Sequence, residues 1–267
     1  MTIKVAFIVP YRNREQQKEF FLRYIKWILE DYKKEDYIVV FSHQQDNRPF
    51  NRGAVKNIGF KYIKNKYPND YKNISLVFHD IDVMASRKGL FNYETENNIV
   101  KHFYGFDFAL GGIISIKGSD FENSGGYPNY WSWSLEDNCL QKRVLKNNLK
   151  INKNVFYKIG DPNILHIHDG LYKDYSETNL NLFKNDTGSE GLRTIYKLKT
   201  NEEYVDETKD HIAHYFCNIE NFDTLYDFKS QTEPIKHKLS DGNQLGKHMK
   251  NRKMRQVNTI FRGLVYK

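Results

Sequence analysis

The first hundred residues alternate between short apolar runs and longer amphipathic stretches. Residues 3–9 are almost continuously apolar and stop at Pro10, the pattern of a strand covered on both faces. Across residues 15–32, Phe21, Tyr24, Ile25, Ile28, Leu29 and Tyr32 recur at three- and four-residue spacing, which predicts an amphipathic helix. Residues 37–41 predict a second strand, and Phe50-Asn51-Arg52-Gly53 opens a second helix with an inner stripe of Val55, Ile58, Gly59, Tyr62 and Ile63. A third apolar run, residues 75–79, goes straight into Asp80-Ile81-Asp82. Strand and helix in alternation imply right-handed crossovers and a mostly parallel sheet, so the fold class is α/β, with ligands expected beyond the carboxyl ends of the strands.

Downstream the pattern is less regular. Residues 84–104 show no clear period, while Gly111 and Gly112 precede a strand over residues 113–116 and a short helix over 119–123. Ser134 and Asp137 fit a capping box opening a helix over residues 136–149, and residues 164–169 read as a strand. Residues 171–190 are polar and irregular, with Gly188 and Gly191 as candidate hinges before a closing strand that begins near Gly191. The expected division is an α/β domain over residues 1–200 and a C-terminal extension over 201–267. Residues 236–255 of that extension are strongly basic.

At 267 residues the chain can bury a substantial core, and its 19 tyrosines and 18 phenylalanines will fill much of it. Lys plus Arg outnumber Asp plus Glu by 41 to 33, a formal charge of +8 that suits a polyanionic ligand without selecting one. The two cysteines have neither metal-type spacing nor a disulfide framework, which points to a reducing compartment. No apolar run approaches the roughly 20 residues of a membrane span, and no signal peptide opens the chain. The expectation is a cytoplasmic protein without a membrane span, of microbial or viral origin.

The chemistry concentrates in three stretches. Along extended backbone Asp80 and Asp82 would point the same way, and two like charges so close call for a proton, a basic partner or a divalent metal, or else they solvate a strand end. No glycine-rich phosphate loop follows the first strand, so Arg12, Arg14 and Arg52 are either guanidinium forks for a diphosphate or solvated loop residues. The loop from Gly125 to Asn138 carries Trp131 and Trp133 among Gly, Ser and Asn, which suggests a platform for sugar rings or a lid. His166 and His168 form a second same-face pair, which is either incidental or a way to offer two imidazole nitrogens to one metal. With Asp82 they would give a mixed oxygen and nitrogen shell favouring Mn²⁺ over Mg²⁺. His211-x-x-His214-x-x-Cys217 matches no common zinc spacing.

Taken in order, FIVPYRNR, FNRGAVKNIGF, FHDID, GGI with YPNYWSWSLEDN, and LHIHD resemble the β-1,4-galactosyltransferase family, and the His-x-His motif is most similar to its xylosylprotein branch. The resemblance covers about residues 1–200. It implies a GT-A fold, a UDP-sugar donor, a glycan acceptor, Mn²⁺ and inversion at the anomeric carbon. It further implies that Pro10, Tyr11, Arg12, Arg14, Phe50 and Arg52 contact the uridine and diphosphate, and that Asp80 contacts the donor sugar or ribose. Asp82, His166 and His168 would hold the metal, Gly112 would let the backbone approach the donor, Trp133 would close over both substrates, and Glu136 and Asp137 would be the acceptor-binding acid and the general base.

Three features depart from the family pattern. Asn138 replaces a third acid, Ser132 and Ser134 replace glycines around Trp133, and Ala109 replaces a large aromatic ring. A small residue at 109 implies room for N-acetylgalactosamine beside galactose. Two readings from other classes are a metal-dependent phosphoesterase or nuclease, which would use the same acids and histidines, and a glycan- or nucleotide-binding module that has lost catalysis. No nucleic acid partner is expected.

Overall fold

The N-terminal apolar run forms β1 (Val5–Tyr11), buried at every position. In the computed structural model, which describes residues 3–131, 135–167, 172–175, 178–204, 214–230 and 235–238, this strand is central to a nine-stranded sheet. The elements follow as α1 (Glu15–Ile28), β2 (Tyr37–Gln44), α2 (Arg52–Lys66), β3 (Ser75–His79), β4 (Val83–Ala85), β5 (Ile99–Gly105) and β6 (Ile113–Lys117). Then come α3 (Gly118–Asn123), α4 (Glu136–Lys146), β7 (Lys150–Asn152), β8 (Tyr157–Lys158), β9 (Ile164–His166), β10 (Tyr172–Tyr175) and α5 (Thr178–Lys184). Last are β11 (Ile195–Tyr204), β12 (His214–Thr224) and β13 (Ile235–Lys238).

The sheet order is β11-β12-β2-β1-β3-β6-β5-β7, with β8 also on β5. The strands from β12 through β2 and β1 to β3 are parallel, β6 runs against β3 and β5, and β7 and β8 run with β5. The sheet is therefore mostly parallel, as the alternation of elements predicts. Because side chains alternate, Ala6 and Ile8 enter the core under α2, whereas Val5, Phe7, Val9 and Tyr11 enter the core under α1. That two-sided burial explains the uninterrupted apolar run. Helix α2 lies so close to β1 that a Cβ on Gly59 would be 2.5 Å from Ile8 Cγ2.

Several boundaries differ from expectation. Helix α1 ends at Ile28 rather than Tyr32, and the chain turns so that the Tyr32 ring meets Tyr37 and Tyr93. Helix α4 stops at Lys146, short of residue 149. It opens behind Leu135, which makes no side-chain cap; Ser134, the expected capping residue, lies outside the described residues. The aperiodic stretch 84–104 contains β5, and the stretch 171–190 contains β10 and α5 rather than irregular loop. Gly191 is no open hinge, since a Cβ there would meet the Gly125 carbonyl at 2.4 Å. The sheet does not stop at residue 200: β11 crosses that position and β12 pairs with β2. Residues 236–238 of the basic stretch belong to β13, which pairs with β10, and residues 239–255 lie outside the described residues. No helix among the described residues is long and apolar enough to cross a membrane.

Candidate active site

Three elements converge at the carboxyl end of β3. The strand ends at His79, and the Asp80 N–H donates to the Gly112 carbonyl at 2.9 Å, which ties the first acid to the glycine pair. Residues 81–82 then turn, with Ile81 buried, before β4 begins. Asp80 and Asp82 are thus separated by a bend and are not one face of an extended strand, as the alternation argument assumed. Their surroundings differ accordingly.

Asp80 faces the N-terminus of α2. Asn51 caps that helix by accepting from the Ala54 N–H, and this sets Arg52 on its first turn. Arg52 Nη2 donates to both oxygens of Asp80 at 2.6 and 2.7 Å, while Nη1 donates to Glu136 at 2.7 Å and Asp137 at 2.8 Å. One turn later, Lys56 Nζ donates to the other Asp137 oxygen at 2.9 Å. Three acids therefore surround two cations at side chains that are mostly buried.

Electrostatics separates the paired acids of α4. Burial pushes the Asp137 carboxyl up, but Arg52 and Lys56 more than offset this and hold it below the ordinary carboxylate range. Glu136 is pushed up by burial and by the neighbouring Asp137 charge, against the same two cations. Burial works against the charge of Arg52, yet Asp137, Asp80 and Glu136 outweigh it and keep the guanidinium protonated well above its ordinary value.

The glycine pair is shaped around this cluster. Gly112 has φ of 72°, and a Cβ there would meet the Tyr104 carbonyl at 2.3 Å. His102 Nε2 lies 3.1 Å from the Tyr104 carbonyl and 3.2 Å from the Gly111 carbonyl, so this nitrogen carries the proton and braces both turns. Burial pushes the His102 imidazole down to about 4, so it is neutral at pH 7. Ala109 is buried one turn before the pair. Asn138, where the family pattern has an acid, donates its amide to the Phe108 carbonyl at 3.2 Å and so fastens the same loop to α4.

Asp82 lies on the other side of the bend. β4 pairs antiparallel with β9, Val83 stands opposite His166, and the Ile167 N–H donates to the Asp82 carbonyl at 2.8 Å. The Tyr104 hydroxyl is 3.1 Å from Nε2 of His166, and burial together with the charges of Asp82 and Asp80 raises its pKa above the ordinary phenol range. That phenol braces the imidazole. The chemistry of this set, a carboxylate just before β4 and an imidazole at the end of β9, fits a borderline divalent ion. The third expected ligand, His168, lies outside the described residues, as does Trp133. Among the described residues no three His, Cys, Asp or Glu side chains form a metal-sized cluster.

The residues expected to meet the donor line the ends of β1 and β2. Pro10 and Tyr11 close β1, the Tyr11 hydroxyl donates to Glu15, and its ring packs 4.7 Å from His43 and 5.9 Å from Phe216. Arg12 donates to the Arg48 carbonyl. Arg12, Arg14 and Phe50 are half-buried. Trp131 is not a platform: it is buried, stacks on Phe222 and donates to the Tyr226 carbonyl at 2.9 Å. His214 and Cys217 are buried in β12, and His211 lies outside the described residues. Lys56, Tyr104 and His102 were missed by sequence reasoning. Only Lys56 left a signal, standing one turn after Arg52 on the same face.

Comparison with known proteins gives the family and the fold. The family model for the N-terminal region of glycosyl transferase group 7 matches residues 1–92, and the one for the N-terminal domain of galactosyltransferase matches residues 97–169. Beta-1,4-galactosyltransferase 1 of Mus musculus is 30% identical over 159 residues, covering 56% of this chain and 39% of the relative. Beta-1,4-galactosyltransferase 7 of Drosophila melanogaster is 26% identical over 181 residues, covering 64% of this chain and 54% of the relative. The chain thus spans about 39% to 54% of the length of these curated relatives. The crystal structure of the catalytic domain of the Drosophila enzyme with xylobiose superposes with a TM-score of 0.70 at 21% identity, covering 85% of this chain and 97% of that one. A mutant of that enzyme with manganese, UDP-Gal and xylobiose gives a TM-score of 0.69 at 19% identity. The fold is GT-A, and the chain belongs to the β-1,4-galactosyltransferase family.

Proposed function

We propose that the protein is a metal-dependent, inverting glycosyltransferase that moves galactose or N-acetylgalactosamine from a UDP-sugar to a hydroxyl of a glycan acceptor. The observation that carries this reading is the convergence of Asp80, Glu136 and Asp137 on Arg52 and Lys56 beyond the carboxyl end of β3, in a chain of this family. Parallel sheets bind ligands at that edge.

In this reading Asp137, ionised and held at both oxygens, takes the proton of the attacking acceptor hydroxyl. Glu136, buried behind it, orients the acceptor through the same network. Pro10, Tyr11, Arg12, Arg14 and Phe50 bind uridine and diphosphate. Arg52 and Asp80 contact the phosphates and the donor sugar, and Gly112 lets the backbone approach it. Asp82, His166 and His168 would hold Mn²⁺, whose chemistry when bound is to neutralise charge on the departing UDP. Trp133 closes over both substrates and excludes water that would hydrolyse the donor. Ala109 leaves space for an N-acetyl group.

The test is UDP release from UDP-galactose and UDP-N-acetylgalactosamine with Mn²⁺, over a panel of sugars that includes xylobiose, repeated with Asp137→Asn. Acceptor-stimulated release that needs Mn²⁺ and disappears in the variant is expected. Donor binding with no release across the panel would favour a binding module, and hydrolysis of nucleic acid would favour a nuclease. Exclusive use of UDP-galactose would remove the argument from Ala109.

A further inference from the structure

One buried cation beside the proposed base has no part in the family-based assignment. Lys56 is only 1% exposed, in the middle of α2, and its Nζ sits 2.9 Å from Asp137 Oδ1 and 4.3 Å from the centre of the Tyr127 ring. Asp137 Oδ2 accepts from Arg52. Each oxygen of the carboxylate therefore has its own cation, but the two cations carry different loads. Arg52 is divided among Asp80, Glu136 and Asp137, whereas among the described residues Lys56 is ion-paired with Asp137 alone. A lysine is almost never buried this fully without an anion that needs it.

We propose that Lys56 is a positioning residue for Asp137, pinning one carboxylate oxygen so that the acid keeps a single orientation and its negative charge when Arg52 turns toward the donor diphosphate. The inference rests on the reading of Asp137 as general base and deepens it. The groups facing Asp137 are Arg52 and Lys56 from α2, Glu136 beside it on α4, Asp80 after β3, Tyr127 from the preceding loop and His102 from β5. His102 and Tyr127 are neutral at pH 7, since burial pushes the imidazole down and the phenol up. Without Lys56, three acids would face one guanidinium, and a proton would be retained among them to a higher pH.

The direct test needs no substrate. In ligand-free protein labelled with carbon-13 at the aspartate carboxyls, the Asp137 resonance is assigned by its loss in Asp137→Asn. In the unaltered protein it is expected to titrate below the ordinary carboxylate range, and a midpoint at or above that range overturns the proposal without any Lys56 variant. In Lys56→Met the midpoint is expected to rise by roughly one to two pH units, with partial return in Lys56→Arg. The acid limb of kcat for UDP release from UDP-galactose with Mn²⁺ should rise with it, because activity needs the ionised carboxylate. Folded Lys56→Met with an unmoved Asp137 titration overturns the role of Lys56 alone. Full turnover in Asp137→Asn overturns the general-base reading itself, so the two failures are distinct.

Discussion

A Cβ placed on Gly111 would stand 2.2 Å from Oδ2 of Asp137, the oxygen that also receives Arg52. The Leu110 N–H donates to the Asp137 carbonyl at 3.1 Å, so the glycine loop is tied to the start of α4 and cannot retreat freely. Glycine at 111 is thus required by the space the carboxylate occupies.

Gly111→Ala is expected to push the Asp137 carboxylate off Arg52 while leaving the core untouched. A misplacement of about 1 Å at a reacting group costs on the order of 10²-fold in rate. kcat for UDP release should fall by about that factor with a cooperative thermal transition retained. Unchanged kcat would show that the carboxylate need not stay where it is.

The loop that leads into the tryptophan motif depends on one amide. Asn57 is fully buried on α2, donates to the Tyr127 carbonyl at 2.7 Å and Asn129 Oδ1 at 2.8 Å, and accepts from the Tyr127 N–H at 2.9 Å. Asn57→Leu leaves these groups buried without partners, each at about 1–3 kcal/mol. Urea unfolding should show a loss of about 3 kcal/mol, and a loss below about 1 kcal/mol would mean that the loop repacks around the leucine.

What the sequence disclosed follows from how local each signal is. The runs of β1 and β3 and the stripe of α1 are carried by neighbouring residues and were legible, as was the placing of Asp80 and Arg52 at one edge, whereas Asp137 entered only through the family resemblance. β5 was not, because Lys101 and His102 interrupt its apolar positions and its parallel pairing with β7 joins it to a part of the chain about 50 residues later. β12 was hidden in the same way, its place beside β2 being fixed by a partner some 170 residues earlier. Lys56 resembled a solvent-facing lysine, since only the tertiary approach of α4 brings Asp137 to it.

Glu190 should make stability depend on pH. Its carboxylate is buried and accepts from the Asn129 N–H at 2.7 Å; burial pushes its pKa up to about 7, against the opposing pull of Asn129 and Arg143. An acid whose folded pKa is raised favours the folded state while protonated, so this contribution is present below the unfolded value of about 4.3 and is lost as pH rises through 7. Thermal midpoints should therefore fall between pH 5 and 8 more in the unaltered protein than in Glu190→Gln. Parallel curves for the two proteins would mean that Glu190 is ionised throughout.

Tyr104 braces the imidazole proposed to hold the metal. The Tyr104 hydroxyl is 3.1 Å from Nε2 and 3.3 Å from Nδ1 of His166, while its ring packs 5.2 Å from the imidazole. Groups that orient a metal-binding imidazole typically contribute 10- to 100-fold to metal affinity. Tyr104→Phe keeps the ring and removes only the hydroxyl, so the Mn²⁺ concentration for half-maximal UDP release should rise about 10-fold, with kcat at saturating Mn²⁺ nearly unchanged. Chelation should abolish release in both proteins, and Asp82→Asn should abolish it at any tested Mn²⁺ concentration. If Tyr104→Phe instead lowers kcat without changing the metal requirement, the hydroxyl acts on a substrate and not on His166, and the β4–β9 ribbon loses its claim to the metal.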